Sequence, residues 1–396
     1  MQIVYAQQPF PESWAKALFL AGPTPRDPEV ESWRPAALQY LKEQGYDGVV
    51  FVPEPEDGDW PADYNNQADW EKEGLNMADA IVFWIPRDLD TMPAFTTNVE
   101  FGRWITSGKV IAGAPPEAPK NRYLKWLQRT ESNGYEAFTD TLEATLDKAL
   151  KKIGMGALRT GGGRKVPLQI WNTQPFQEWH KNLKAAGNRL DDAEQRWVFY
   201  MPKLGKVFSW VLWVKVWIES EHRWKENEWM FGRTDISTVV LYHYPSNLPD
   251  GLTGITDAQL VLIREFRSPG HTPDGFIHEV PGGSSSKDGE NPKQVAAHEV
   301  HEETGIIIPA DRFQYIGSRQ LAGTLSVHKA HAYAAELTAG EMQQAQALAA
   351  SNAVQGVEED TERTYVEVVS LRDALKESLL DWSMVGMICQ TLLRGD

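Results

Sequence analysis

From Ala17 to about Gly154 short apolar runs alternate with helix-period stretches, and no other feature of the sequence restricts the fold as much. "ALFLAG" precedes "WRPAALQYLKEQGY", "GVVFVPEP" precedes "DWEKEGLNMAD", "AIVFWIP" precedes "EFGRWITSG", and "KVIAGAP" follows. Such alternation predicts an α/β unit, a doubly wound parallel sheet with helices on its faces. The amphipathic stretch "YEAFTDTLEATLDKALKKIG" closes it, with lysines in the last turn and Gly154 as the stop. "GMGALRTGGGRKVP" has glycines and cations but no apolar period. The sequence therefore predicts a first domain over 1–153, a linker over 154–167 and a second domain over 168–396.

Two cores suit a chain of 396 residues. Eight of the sixteen tryptophans lie between Trp171 and Trp229, in nearly alternating segments such as "SWVLWVKVWIES", which predict a β extension with a buried aromatic face. Beyond it, "DISTVVLYHY", "AQLVLIREFR", one strong helix and "VHKAHAYAAEL" predict a mixed sheet. Cys389 stands alone in the apolar "MVGMICQTLL", expected as a closing core helix. With 39 basic and 55 acidic residues, net −16, the chain is a poor partner for nucleic acid. No run reaches the roughly 18 apolar residues of a membrane helix and no secretory leader is visible, so the expected setting is cytoplasmic.

Asn291 and Pro292 make a helix start and Gly305 a stop. At about 100° per residue, Glu299, Glu302 and Glu303 share one sector while Ala296 and Val300 mark a packing face. Three such carboxylates repel one another unless a cation sits among them, and hard divalent ions favour all-oxygen sites. A solvated acidic face is the competing reading. The stretch "EVPGGSSSKDGENPKQVAAHEVHEETGI" resembles the signature of the Nudix hydrolases, carried by Gly283, Glu290, Glu299, Val300, Glu302, Glu303, Gly305 and Ile306. His298 stands where that family has arginine, with Glu302 one turn along as its expected partner, and the loop from Gly283 to Glu290 is one residue longer than usual. The resemblance implies an α/β/α fold with a mixed sheet. It implies Glu299, Glu302 and Glu303 as ligands of Mg²⁺ (or Mn²⁺), with Glu299 and Glu303 acting in hydrolysis of a diphosphate that lies beside Gly283. "LVLIREFR" and "GTLSVHKAHAYAAEL" are similar to the ADP-sugar pyrophosphatase branch, in which a later acid often joins the site. Glu358, Glu359, Asp360 and Glu362 are the candidates.

In an open parallel sheet, ligands sit beyond the carboxyl ends of the strands, where "FLAGPTPR", "DWEKEGLNMAD" and "TTNVEFG" should converge. Gly22 and Pro23 turn the chain at the first of these ends. Arg26 is placed to meet a phosphate or carboxylate, or to form a surface ion pair. Glu100, after Thr96, Thr97 and Asn98, is expected at a helix start, where backbone N–H groups would keep it ionised. "FLAGPTPR", "SWR", "PEPE", "WE", "ADAIVFWIPR", "TTNVEFGRW" and "GKVIAGAP" resemble the nucleoside 2-deoxyribosyltransferase-like family over roughly residues 17 to 125. The resemblance implies Glu100 as nucleophile at an anomeric carbon and Glu71 as the acid near the leaving base. It also implies Asp79 as a ribose contact or helix-end residue, with Gly22, Pro23, Arg26 and Asn98 around the substrate. Two carboxylates flanking a glycosidic bond suit retaining transfer. The expectation is a bifunctional enzyme of small nucleotides or nucleoside diphosphates, with no membrane or nucleic-acid partner and a homodimer permitted. A nucleotide sensor with one or both domains inactive is the alternative.

Overall fold

The computed structural model describes every residue except 28, 59, 61–63, 133–136, 202–204, 246–251, 285–288, 357–361 and 395–396. The chain divides into two units, Met1–Arg233 and Thr234–Asp396.

Five parallel strands build the first unit, in the spatial order Gln2–Tyr5, Val49–Val52, Ala17–Ala21, Ala80–Trp84, Val110–Gly113. Their side chains alternate between two helix layers, which is why every position can be apolar. Phe19 and Ala21 meet Trp70 and Leu75 of helix Tyr64–Met77 and Phe101 of helix Phe95–Trp104. Leu18 and Leu20 meet Leu41 of helix Arg34–Glu43 and Leu146 of helix Leu142–Ile153. From Ala17–Ala21 the chain winds first to Val49–Val52 on one side and then to Ala80–Trp84 on the other. The strand order reverses between Ala17–Ala21 and Ala80–Trp84, where a doubly wound sheet opens a crevice.

Two boundaries differ from the sequence expectation. Residues 154–167 are not a free linker: Arg159–Thr160 pairs antiparallel with Ser13–Trp14, and buried Arg159 forms an ion pair with Asp79 at 2.5 Å. The aromatic extension also belongs to the first unit. Its strands Arg189–Met201, Lys206–Ile218 and Arg223–Arg233 form an antiparallel sheet, tied down where Gln169 and Gln195 both donate to the Ser107 carbonyl at 2.8 Å. Its aromatic face is less buried than the alternation suggests. Trp210 is fully buried, edge-on to Phe176, whereas Trp197, Trp224 and Trp229 remain exposed. The outer rings cover one another instead, Trp217 meeting Trp224 at 4.7 Å.

The second unit is an α/β/α sandwich on an eight-stranded mixed sheet. Ile236–His243 and Lys329–Glu336 run parallel, while Gln259–Phe266 pairs antiparallel with Ile236–His243, Phe276–Glu279 and Thr364–Ser370. Helices Pro292–Thr304 and Ala339–Ser351 cover one face, and Leu371–Lys376 and Trp382–Leu392 the other. Cys389 lies on this closing helix as a partly buried free thiol. Trp382 is the one tryptophan after Thr234 and is 90% exposed. Among the described residues no helix is long and apolar enough to cross a membrane.

Candidate active sites

At the crevice of the first unit lies a cavity of about 340 Å³ whose walls include Gly22, Pro23, Arg26, Arg34, Gln67, Glu71, Phe95 and Glu100. Gly22 has φ +142°, and a Cβ there would come 2.2 Å from the Trp84 carbonyl oxygen, so only glycine lets these two strand ends close together. Beneath the turn, buried Arg34 donates to the carbonyls of Leu20 (3.0 Å) and Gly22 (2.8 Å), to Thr24 Oγ1 (3.1 Å) and to Glu54 (2.5 Å). Ser32 donates to both oxygens of Glu54. These contacts explain the strings "SWR" and "PEPE", although neither local sequence names its partner.

Glu100 sits in the body of helix Phe95–Trp104, not at its start. The first-turn N–H groups are therefore out of reach, and the expected stabilisation of its charge gives way to the opposite effect. Burial, then the charge of Glu71, pushes its carboxyl up to about 7 against the opposing pull of Arg34. Burial also raises Glu71, offset by a hydrogen bond from Gln67 (2.7 Å) and by Arg34. Arg26 lies at the rim with its guanidinium over the Phe95 ring, 5.6 Å from the centroid, and no ion pair holds it among the described residues.

Two expected contacts lie elsewhere. Asp79 is buried, both of its carboxylate oxygens accepting from Arg159 and from the backbone N–H groups of Ala17 and Leu168, and it is not among the residues that line the cavity. Asn98 accepts from Arg87 at 2.6 Å, and Arg87 also donates to the carbonyl of Pro93. Asn98 thus braces the loop before the Glu100 helix and is not part of the cavity wall.

In the second unit the acidic helix forms as its caps require. Asn291 accepts from the Lys293 N–H, proline occupies the first turn, and Gly305 ends the helix at φ +68°. Buried Val300 and Ala296 fix it to the sheet, and the three glutamates then diverge. Glu303 is buried and accepts the Gly282 N–H at 2.8 Å; its carboxyl is raised far above the usual range, mainly by burial. Glu299 packs against Gly283, where any Cβ would lie 2.6 Å from its carboxylate. Burial, then the charges of Glu302 and Glu362, lifts Glu299 to about 7. Glu302 pairs with His298 Nδ1 at 3.1 Å, one turn away as expected.

Of the late acids, Glu358, Glu359 and Asp360 lie outside the described residues. The charge of Glu362 reaches both Glu299 and Glu303, and its carboxylate is 3.6 Å from Arg267. Arg267 also faces Glu265 at 2.8 Å and Glu279 at 3.8 Å. The sequence does not single out Glu265, Arg267 and Glu279, because Glu279 joins the other two from the neighbouring strand Phe276–Glu279. An all-carboxylate set with two strongly raised members has the donor chemistry for a hard divalent cation. Even so, no three acidic, histidine or cysteine side chains among the described residues are arranged to hold an ion.

No curated protein matches the chain. Residues 15–118 match the family model for nucleoside 2-deoxyribosyltransferase-like proteins, and residues 251–382 match that for the NUDIX domain. The first match holds the cavity with Glu71 and Glu100, and the second holds the acidic helix, so one chain carries a nucleoside 2-deoxyribosyltransferase-like domain and a NUDIX domain.

Proposed function

We propose that the chain is a bifunctional nucleotide-metabolising enzyme, breaking or transferring an N-glycosidic bond in its first unit and hydrolysing a nucleoside diphosphate-linked substrate of ADP-ribose type in its second. One observation carries the first activity: Glu71 and Glu100 line the same cavity, and the charge of one raises the other. The reactive microstate puts the charge on Glu100 and the proton on Glu71, and the pair titrates as a unit. Glu100 attacks the anomeric carbon, the C–N bond breaks, and Glu71 protonates the departing nitrogen. Water or an acceptor hydroxyl then displaces Glu100 from the sugar. Free Arg26 at the rim suits an anionic group on that sugar.

In the second unit Glu299, Glu302 and Glu303 would have to draw together around Mg²⁺ or Mn²⁺, joined by a late acid, of which Glu362 is the one among the described residues. Such an ion would neutralise diphosphate oxygens and acidify the attacking water. A carboxylate of the site takes the water's proton as its oxygen bonds to phosphorus and the bridging P–O bond breaks. With NAD as the starting compound the ring nitrogen takes the C–N electron pair and leaves as neutral nicotinamide without a proton from Glu71; the resulting ADP-ribose is split by the second site, with water, into AMP and ribose 5-phosphate. The reverse order, diphosphate first and base removal second, uses the same residues.

The test is mass spectrometry of products from NAD, ADP-ribose and nucleoside monophosphates with Mg²⁺, using the intact chain, Glu100→Ala and Glu303→Gln. A sequential enzyme accumulates a different intermediate in each variant, and each intermediate is consumed by the other variant. His298 in place of the family's arginine, and the longer loop from Gly283 to Glu290, favour a second reading, a nucleotide sensor. Tight binding with no turnover of any compound in the panel would establish it.

A further inference from the structure

One buried lysine of the first unit touches the ends of both helices that carry the cavity acids. Lys109 immediately precedes strand Val110–Gly113 and is 1% exposed. Its Nζ donates to the carbonyls of Leu75 (2.6 Å) and Asn76 (3.0 Å), in the last turn of helix Tyr64–Met77. The same atom lies 4.6 Å from the centre of the Trp104 ring, at the end of helix Phe95–Trp104. The lysine backbone is itself fixed, its carbonyl accepting from Ile81 of the neighbouring strand at 2.9 Å and its N–H donating to Ser107 Oγ at 3.2 Å. Glu71 stands four residues before Leu75 and Glu100 four before Trp104, so each acid is about one turn from the contact and on the same side of its helix. Resting on the glycosidic reading of the first unit, we propose that Lys109 is a positioning residue, a strut anchored in the sheet that sets the separation of Glu71 and Glu100.

A buried lysine without an ion pair is costly, and no carboxylate pairs with Lys109 among the described residues. Methionine, of similar length, packs an apolar core without that cost. What the amine adds is donors for helix-end carbonyls that an apolar side chain leaves unsatisfied. Burial pulls the amine down to about 7, opposed by the charge of Asp79 and assisted by that of Arg159. Both protonation states keep N–H donors, so the strut holds on either side of that value. The spacing has an electrical consequence. Beyond burial, the charge of Glu71 raises Glu100, and such coupling falls as the groups separate.

Glutamate carboxyl ¹³C resonances, assigned with Glu71→Gln and Glu100→Gln, read the two titration steps of the pair in the free protein and test this in Lys109→Met, Trp104→Leu and Val110→Ala. Released helix ends let the acids part, so the steps should approach each other by about one pH unit in Lys109→Met and by less in Trp104→Leu. Val110→Ala, a simple loss of core packing, should lower the denaturant midpoint and leave the steps apart. Base release from nucleoside monophosphates should fall about 10²-fold in kcat in Lys109→Met, with KM little changed. Trp104→Leu decides the matter if the methionine variant does not fold. Steps as far apart as in the unaltered chain, or a joint rise of both steps from the loss of charge alone, would overturn the strut and make Lys109 ordinary core support, with the glycosidic reading left standing. Convergence of the steps with no base released by the unaltered chain from any nucleotide tested would overturn the glycosidic reading, and the positioning role with it.

Discussion

Asp79 and Arg159, 80 residues apart in sequence, form a buried ion pair whose carboxylate also ties down the N–H groups of Ala17 and Leu168. Removing either partner leaves a charge without compensation in the core. Asp79→Ala or Arg159→Ala should destabilise the first unit by about 3–5 kcal/mol, read from its denaturant midpoint. Unchanged stability with lost base release would return Asp79 to the substrate.

The Glu71–Glu100 pair predicts a pH profile. Glu100 must be ionised and Glu71 protonated, so release of a base that needs protonation should pass through a maximum with pH, its acid and alkaline limbs belonging to the coupled pair. The stability contribution of Glu100 falls with pH. With its folded value above the ordinary 4.5, Glu100 favours the folded state fully below that pH and loses the contribution as pH rises through about 7. Glu100→Gln should therefore flatten the pH dependence of first-unit stability between those limits. A slope equal to that of the unaltered chain would show that Glu100 is not the group concerned.

Arg34 and Glu71 should move that profile in opposite directions. Arg34 draws the Glu100 value down and Glu71 pushes it up. Arg34→Met should shift the acid limb to higher pH, and Glu71→Gln should shift the limb of its residual activity to lower pH. Shifts of the same sign in both variants would contradict this electrostatic assignment.

Gly283→Ala tests the acidic helix without altering a carboxylate. A methyl group would lie 2.6 Å from the Glu299 carboxylate and must displace it. Misplacement of about 1 Å should lower diphosphate hydrolysis about 10²-fold, with base release unaffected. Full activity in Gly283→Ala would show that Glu299 has room to move and that its position is not critical.

The parts legible in the sequence were those encoded over short spans. The strand and helix order of the first unit follows from local apolar period, and Asn291, Pro292 and Gly305 bound the acidic helix with the caps they suggest. Gly22, Arg26, Glu71 and Glu100 were found together because strand ends in such sheets share one edge. What was missed depends on distant partners. "LRTGGGRK" reads as linker until Asp79 is seen to hold Arg159, and nothing near "SWR" announces that Arg34 will brace the turn at Gly22. Asp79 follows the end of helix Tyr64–Met77, one of its two expected roles, and its pairing with Arg159 has no short-range signal because the partner lies 80 residues on. Arg267 and Glu265 stand two residues apart in "REFR", but Glu279 and Glu362 reach Arg267 from distant parts of the chain with no spacing to reveal them.

The tryptophan distribution gives the two halves different visibility in light. Fifteen of the sixteen indoles precede Thr234, while Trp382 is 90% exposed and already samples water in the folded state. Intrinsic fluorescence is consequently a reporter of the first unit, and unfolding of the second passes nearly unseen. A ligand that binds only the acidic helix can raise the calorimetric melting temperature of its own unit and leave the emission transition where it was.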